Sequence, residues 1–514
     1  MHAVLSINEI LSAVFAVTPR CSLLSAGLTC KTFYEPAMDA LWYTIDSIIP
    51  LLMCLPADAL GPSYPGFAGW KHRITRELTS EDWLRFQAAA RRVREYIVVN
   101  EITSIRAYGF DVTHPIVLML AEHFSEGPIL PNLRRFKNVC MEARGDQLLL
   151  PRAPVRIVEL NYGSSSRWLR VLNPELIPTT SLGIIRTIDS AERVLLGGGL
   201  PITKEVFLFA AMPRLSHLSF TIDDDIPLSW VQDFATLPAD SFPALRSLEL
   251  TCKSLTRLLY DTAQALLTLD NFLEHARPRM HFSHLIIIFP TVFIDFERSG
   301  FFHRLCRSIA RHCPTIDRLE IPVGSCLADE SALLPLCDLQ SLCALIIPGV
   351  IIAESMAPET LQLMGSAWPR LTELRVNPHN GPATISTLRH ILDIFPNLTT
   401  LAMSVAPEHD AEDELDRLES SGGARQTLQT FDLGSSLFGY TTPTVTQPMK
   451  LKLPTEQSVE QLARALAVLC PAADISWSFA WLEGDQSRAD RTRIIPIMQR
   501  VVQRKREIVA SRQL

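Results

Sequence analysis

The stretch from Leu5 to Ile45 carries apolar residues three or four positions apart, with polar residues between them. This spacing predicts short amphipathic helices. The apolar positions are Ile7, Ile10, Leu11, Val14 and Phe15, then Leu23, Leu24 and Leu28, then Ala37, Leu41 and Trp42. So small a helical module has too little interior to bury all of these side chains, which indicates that some of them face a partner.

The helix boundaries follow from local signals. Ser6 and Glu9 have the spacing of a capping box, which predicts that the first helix begins near Ile7. Pro19 follows Thr18 and predicts the end of that helix. Pro36 follows Glu35 and suits the first turn of a third helix, which we therefore expect to begin there.

A second pattern recurs over most of the chain. Its form is an anchor, often Pro-x-Leu, then two residues, an apolar residue, one further residue and another apolar residue. Copies begin at Pro131, Pro213, Pro243, Pro314, Leu342, Pro369, Pro396 and Leu428, with weaker ones at Ile102, Val155 and Phe282. Alternation at the apolar positions predicts a short strand in each copy.

Apolar stripes at helical spacing precede several anchors. Phe302, Leu305, Ile309 and Cys313 form one such stripe. From Phe282 onward the anchors lie about thirty residues apart, near the upper end of the range of leucine-rich repeats. The pattern predicts an α/β fold of stacked helix–strand repeats with a parallel sheet on the concave face of a curved solenoid. A globular α/β domain with a parallel sheet is the alternative.

Several other stretches lie before, within or after these repeats. The pattern from Ser80 to Ile97 predicts one connecting helix. Residues 406–423 are predicted to form an acidic exposed helix, and residues 434–448 a surface loop. The apolar spacing of residues 455–470 predicts a helix, and the alternation of Ile475, Trp477 and Phe479 predicts a strand after it. A basic helix is predicted from Ile494 to Arg512. We expect the last helix–strand unit to close the stack.

The composition of the chain limits the classes of function that it could have. The net charge of −7 and pI of about 6.0 argue against general nucleic-acid binding. The eleven scattered cysteines form no C-x-x-C pair, which favours reduced thiols in the cytoplasm or nucleus. We also expect no signal peptide and no membrane span, because the longest apolar run is short and Pro290 breaks it.

Catalytic motifs at the required spacing are absent from the sequence. There is no H-E-x-x-H or G-x-S-x-G, and Gly197-Gly198-Gly199 lacks the Lys-Ser/Thr of a phosphate loop. His281 and His284 lie three residues apart, but their setting is that of a repeat turn entering a strand. We therefore expect a non-catalytic protein with no cofactor and no metal.

The N-terminal stretch resembles an F-box. The residues that carry the resemblance are Ile7 to Leu11, Phe15, Leu23-Leu24, Cys30 to Phe33 and Leu41-Trp42. An F-box usually has proline near the start of its first helix, where Ser6 or Asn8 stands here. The repeats and the last sixty residues resemble the irregular leucine-rich repeats and chain ending of large F-box families in mushroom-forming fungi.

The resemblance implies a substrate receptor that binds a Skp-type adaptor of a cullin ubiquitin ligase. The adaptor-binding residues would be Ile7, Ile10, Leu11, Phe15, Leu23, Leu24, Leu28 and Trp42. It also implies four segments: an F-box at 1–46, a linker and connecting helix at 47–100, repeats at 101–452, and a capping repeat with the basic helix at 453–514.

The repeat face would bind a protein substrate. In repeats of this kind the strand positions beside the buried ones face the concave side, and they are a mixture of small, polar and charged residues. The candidates are His217, Ser219, Glu249, Arg318, Glu320, Glu373, Arg375 and Asp432. Such a surface suits a protein better than nucleic acid, which would need a Lys/Arg stripe. A repeat scaffold outside any ligase is the alternative function.

Overall fold

The computed structural model describes residues 7–62, 72–98, 119–120, 122–124, 127–138, 153–161, 190–197, 209–222, 237–238, 241–252, 262–276, 280, 282–289, 293–294, 300–322, 325–328, 330–352, 357–378, 384–403, 405, 416–417, 427–433, 439–440, 451–452, 455–476 and 485–513. The chain forms two compact units. The first is Met1–Ile222 with Thr236–Arg246 and Arg279–His281, and the second is Asp223–Ala235, Ser247–Pro278 and Phe282–Leu514.

The predicted N-terminal helices are α1 (Asn8–Ala16), α2 (Arg20–Thr29) and α3 (Lys31–Tyr43). The predicted break at Thr18-Pro19 is confirmed. The helix α1 begins after Ile7, and no side chain caps its first turn. Ser6, the other half of the predicted capping box, lies outside the described residues.

The predicted start of α3 at Pro36 is wrong, because the helix begins five residues earlier and contains Pro36. A proline inside a helix removes one backbone hydrogen bond and costs about 3 kcal/mol. Close packing on α2 offsets that cost, since Pro36, Ala37 and Met38 are all buried. A Cβ atom on Gly27 of α2 would lie 3.1 Å from the Cε of Met38, so a larger residue there would require Met38 to shift.

The rest of the first unit is built on parallel strands. Its further elements are β1 (Thr44–Ile45), α4 (Ile49–Leu52), β2 (Leu60–Pro62), β3 (His72–Ile74), α5 (Trp83–Ala90), β4 (Glu95–Val98), β5 (Arg135–Asn138), β6 (Ile157–Asn161), β7 (Arg193–Gly197) and β8 (His217–Ile222). The strands pair in parallel in the order β1, β4, β5, β6, β7, β8. A small antiparallel pair, β2 and β3, lies outside this order.

The predicted helix from Ser80 to Ile97 is half wrong. The helix α5 spans only Trp83–Ala90, β4 begins at Glu95, and residues 91–94 connect the two. The apolar residues Trp83, Phe86 and Val93 are buried as predicted. The chain leaves the helix because β4 pairs with β1 and β5 and because Tyr96 stacks on Phe136, with ring centroids 5.5 Å apart. Parallel pairing therefore begins before residue 101.

The second unit repeats a helix–strand order. Its elements are β9 (Ser247–Cys252), α6 (Thr262–Ala276), β10 (His284–Ile288), β11 (Phe293–Ile294), α7 (Phe301–His312), β12 (Arg318–Glu320), β13 (Ser325–Ala328), a 3-10 helix (Glu330–Asp338), β14 (Ala344–Ile352), α8 (Pro358–Ala367), β15 (Glu373–Pro378), α9 (Ile385–Ile394), β16 (Thr400–Ala402), β17 (Thr430–Asp432), β18 (Gly439–Tyr440), β19 (Leu451–Lys452), α10 (Glu456–Leu469), β20 (Asp474–Ser476) and α11 (Asp485–Gln513). The parallel order is β9, β10, β12, β14, β15, β16, β17, β20.

Two short pairings accompany this sheet. The strand β11 pairs with β13, and β13 pairs with the distal half of β14, all in parallel. The strands β18 and β19 form an antiparallel pair. These additions and the 3-10 helix were not predicted, since Pro335 and the loops around Ser325 carry no strong periodic signal.

The apolar strand positions predicted after the anchors align across each sheet, and Ile45, Tyr96 and Val194, which belong to no predicted copy, join the row of the first unit. In the second unit one row of directly paired residues is Leu248, Leu285, Leu319, Leu345, Leu374, Leu401, Phe431 and Ile475. In the first unit the row is Ile45, Tyr96, Phe136, Val158, Val194 and Leu218. All but Ile475 are buried. This in-register stacking confirms the predicted leucine-rich repeats with a parallel sheet.

The end of the chain follows its prediction in part. The helix α10 begins after Thr455, whose hydroxyl accepts a hydrogen bond from the backbone of Ser458. The strand β20 contains Ile475, while Trp477 and Phe479 lie outside the described residues. The basic helix α11 begins at Asp485, nine residues before the predicted start. In the described part of the chain, no helix has the length and apolar character to cross a bilayer.

Candidate protein-interaction surfaces

The N-terminal helices divide their apolar residues between a core and a surface. Leu11, Phe15, Leu23 and Ala37 form a buried cluster, and Phe15 meets Phe33 edge to face with ring centroids 5.7 Å apart. Leu11, Phe15 and Leu23 are therefore not available to a partner, contrary to their predicted role as contact residues. They are buried because α1, α2 and α3 close on one another.

Six large aliphatic side chains of these helices and their ends remain exposed, beside Tyr34 and Tyr43 of α3. We call them the exposed apolar set: Ile7, Ile10, Val14, Val17, Leu24 and Leu28. Val17 is 84% exposed and Leu28 is 70% exposed, so most of each side chain is in contact with solvent. Four of the set were predicted, while Val14 and Val17 were missed as contact residues.

The spacing of the exposed apolar set along the helices places it on a different side from the buried cluster. Ile7, Ile10, Val14 and Val17 follow one another at intervals of three and four residues, which places them along one side of α1. Leu24 and Leu28 are four apart on α2. Trp42, also a predicted contact, is half-buried and lies on α3 outside the set. The periodicity of Val14 and Val17 was the signal for finding them.

The N-terminal helices are joined directly to the first sheet. The helix α3 ends at Tyr43 and β1 begins at the next residue. The hydroxyl of Thr44 donates a hydrogen bond of 3.1 Å to the carboxylate of Glu95, and the backbone N–H of Arg94 donates to Tyr43 over 2.9 Å. Arg92 forms ion pairs with Glu35 and Asp39 of α3. A partner bound to the helices would therefore have a defined position relative to the first strands.

The second unit brings four predicted substrate-binding residues together. Arg318 and Glu320 lie on β12, and Glu373 and Arg375 lie two strands away on β15. Across β14, Arg318 is level with Glu373 and Glu320 is level with Arg375, so opposite charges alternate in both directions. We call these four residues with His284 the charged ladder.

Short hydrogen bonds connect the charged ladder. Arg318 donates from Nε to Glu320 and from Nη1 to Glu373, each over 2.7 Å. Arg375 donates from Nε to the other oxygen of Glu373, also over 2.7 Å. Each carboxylate therefore receives bonds from two side chains, because His284 also reaches Glu320 over 3.1 Å.

The position of His284 in this ladder was missed, since the sequence indicated only a residue entering a strand. Its other ring nitrogen lies 3.3 Å from the hydroxyl of Ser247. The bond from His284, with a further bond from Arg318, outweighs burial and lowers the pKa of Glu320 to about 2. Burial opposes the charge of Arg318, but its bonds to Glu320 and Glu373 raise its pKa overall.

The arginines form the outward part of the ladder. The side chains of Arg318 and Arg375 are 36% and 42% exposed, whereas those of Glu320 and Glu373 are 22% and 15% exposed. Among the described residues, no partner is bound to the Nη2 of Arg318 or to either Nη atom of Arg375. The carboxylates thus hold two partly exposed guanidinium groups that keep further N–H donors without a partner among the described residues.

The other predicted substrate-binding residues are placed differently. Ser219 is 7% and Asp432 is 9% exposed, so neither lies on an open surface as predicted. Both faces of their strands are covered, because the neighbouring Phe220 and Phe431 are buried as well. His217 is half-buried on β8 of the first unit, and Glu249 is half-buried on β9 of the second. Four of the eight, Arg318, Glu320, Glu373 and Arg375, therefore form one hydrogen-bonded group.

One cluster contains the residue types of a catalytic triad. The hydroxyl of Ser308 donates to Oδ1 of Asp270 over 2.5 Å, and Nε2 of His312 lies 3.2 Å from the same oxygen. Ser308 and His312 are both buried and share that acceptor. A nucleophile would instead need a bond from its hydroxyl to the histidine. The cluster is a polar contact between α6 and α7.

The basic residues of α11 are occupied by acidic residues of α10. Arg500 pairs with Glu456, and Arg504 pairs with Glu460 over 2.7 Å. Lys505 is buried and donates to the backbone carbonyl of Ala473 over 2.6 Å. These contacts attach α11 to the last helix–strand unit, so Arg500, Arg504 and Lys505 serve packing.

Comparison with known proteins leaves the family open. No protein-family model matches the chain, and no curated protein matches it. Among solved structures, the chain is similar to an internalin from Listeria monocytogenes, with 15% sequence identity and a TM-score of 0.29 over 66% of this chain and 82% of that one. The leucine-rich-repeat architecture therefore rests on the strand register and the helix–strand order of the chain itself.

Proposed function

We propose that this protein is a substrate receptor of a Skp–cullin–F-box ubiquitin ligase. Its N-terminal helices bind the adaptor, and its repeats bind a protein substrate. The protein carries out no bond-making step. It raises the local concentration of the substrate near the ubiquitin carrier of the ligase, which accelerates transfer without new catalytic groups.

The exposed apolar set is the observation that carries the proposal. Monomeric proteins rarely leave large neighbouring apolar residues in water unless they mark an interaction surface. The set belongs to helices that have their own core of Leu11, Phe15 and Leu23, so its exposure is not required for folding. Adaptor binding therefore falls to Ile7, Ile10, Val14, Val17, Leu24 and Leu28.

The charged ladder is the proposed substrate surface. Its partly exposed guanidinium groups suit hydrogen bonding with a protein, and the mixed charge suits neither nucleic acid nor an apolar ligand. The internal bonds keep the arginines in place before a substrate arrives, which lowers the entropic cost of binding.

Co-purification with a Skp-type adaptor tests the adaptor part of the proposal. The test variant carries Val17→Asp and Leu28→Asp, since both residues are highly exposed and lie outside the core. Leu363→Asp on α8 is the matched control, because Leu363 is 57% exposed on a different helix. Leu11 is unsuitable for this test, because its replacement would disrupt the helical core.

We expect the unaltered chain and the Leu363→Asp control to retain the adaptor. The double variant should lose it while keeping its helix content. Failure of the unaltered, well-folded chain to bind any Skp-type adaptor would leave a second function, a leucine-rich-repeat scaffold for protein interaction outside a ligase. The parallel repeats and the charged ladder are compatible with that function without the N-terminal contact.

A further inference from the structure

A groove of about 590 Å³ lies on the helical side of the second unit, away from the strands of the charged ladder. Its walls are α7 and the 3-10 helix. The α7 wall contributes His303, Arg307 and Arg311, and the other wall contributes Ser331 and Asp338. Asp338 is the one acidic residue that lines the groove among the residues that the structure describes.

The orientation of the basic wall is set by packing. The opposite side of α7 contains Phe302, Leu305 and Ile309, all of which are buried. His303, Arg307 and Arg311 follow one another at intervals of four residues, so they lie along one side of the helix. Both arginines are exposed.

This arrangement is unfavourable for the helix alone. Basic residues four positions apart repel one another. Arg307 has no hydrogen-bond or ion-pair partner within the described residues. The chain as a whole is acidic, with a net charge of −7, so the basic wall is not a reflection of its composition. Arg311 already has an interaction within the chain, so an anionic ligand in the groove would chiefly give Arg307 a partner.

The spacing of the wall indicates the shape of that ligand. Side chains four residues apart on a helix are about 6 Å apart, and the wall from His303 to Arg311 is about 12 Å long. Alternate side chains of an extended peptide are about 6.6 Å apart. Carboxylates at every second position of such a peptide therefore match the intervals of the basic wall.

We infer that this groove binds an extended acidic peptide segment of a partner protein, with carboxylates at alternate positions. His303, Arg307 and Arg311 contact the carboxylates, and the opposite wall contacts the peptide backbone. The site is separate from the exposed apolar set and from the charged ladder. It gives the protein a second kind of partner whether or not the ligase proposal holds.

Fluorescence anisotropy with two labelled peptides tests the inference. In one peptide three glutamates alternate with serines, and in the other the same three glutamates are consecutive. Binding to the full chain is measured at about 0.1 M salt, where the Debye length of about 10 Å still permits short-range attraction. The test variant is Arg307→Glu with Arg311→Glu. The control is Arg214→Glu with Arg370→Glu, because these arginines are also exposed but do not line the groove.

We expect the alternating peptide to bind more tightly than the consecutive one. The test variant should weaken that binding about tenfold, while the control variant should not. A matching peptide with lysines in place of glutamates should bind the test variant better than the unaltered chain. Absence of binding, equal binding of both glutamate peptides, or an equal loss in the control variant would each overturn the inference. Unchanged thermal unfolding of the test variant confirms that its fold is intact.

Discussion

The Nη2 atom of Arg92 lies 2.5 Å from a carboxylate oxygen of Glu35, although the two residues are 57 positions apart in the chain. The same guanidinium pairs with Asp39, one turn further along α3. Arg92 follows α5, so this contact joins the N-terminal helices to the element that precedes β4. It supplements the pairing of β1 with β4.

Replacing Arg92 by alanine should loosen α3. The side chain is 21% exposed and its partners are about two-thirds exposed, so the loss should be about 1 kcal/mol rather than that of a buried pair. Hydrogen exchange in α3 should become faster, while exchange in β15 should be unchanged. Arg85→Ala is the control, because Arg85 is exposed on α5. Equal acceleration in both variants would show that the contact with α3 has no special role.

Replacement by alanine should destabilise the protein strongly at Leu11 and hardly at all at Leu28. Leu11→Ala leaves a cavity in the core of the N-terminal helices and should destabilise them by about 2–5 kcal/mol. Leu28→Ala removes a 70% exposed side chain and should change stability by less than about 0.5 kcal/mol. Denaturant unfolding followed by helix content measures both. Similar losses would contradict the division into core and surface.

Glu320 should make the second unit sensitive to acid. Its pKa is about 2 in the folded protein against an ordinary value of 4.5, so the carboxylate stabilises the fold fully above pH 4.5. This contribution, about 2 kcal/mol after allowance for partial exposure, should be lost as the pH falls from 4.5 through 2.

The Glu320→Gln variant isolates that effect. It should be less stable than the unaltered chain at pH 7, and its stability should fall less steeply below pH 4.5. Urea unfolding at several pH values provides the measurement. An unchanged slope in the variant would show that another group controls the acid response.

Gly365 should not tolerate a side chain. It lies in α8, and an added Cβ atom would collide with Cγ2 of Ile394 in α9. Alanine is favoured over glycine in a helix by about 1 kcal/mol, but overpacking costs about 1–3 kcal/mol. We expect Gly365→Ala to lower the melting temperature. Ile394→Ala removes the colliding Cγ2 atom, so the double variant Gly365→Ala with Ile394→Ala should be more stable than the sum of the two single losses would give.

The repeat architecture was predictable because its signal is local and recurs. Each Pro-x-Leu anchor sets the end of a turn and the start of a strand, and buried rows such as Leu319, Leu345 and Leu374 follow from the alternation alone. The N-terminal helices were predictable for the same reason. Their apolar residues had helical spacing, even though the start of α3 was misplaced.

The sequence alone therefore determined which side chains are apolar, how often they recur and which type of repeat they build. Tertiary structure decided which apolar side chains are covered, as for Leu11 against Val17. It also decided that Tyr96 joins a strand rather than a helix, that Asp432 is buried, and that His284 meets Glu320. Periodicity depends only on neighbours along the chain, whereas burial and ion pairing depend on elements that meet in space.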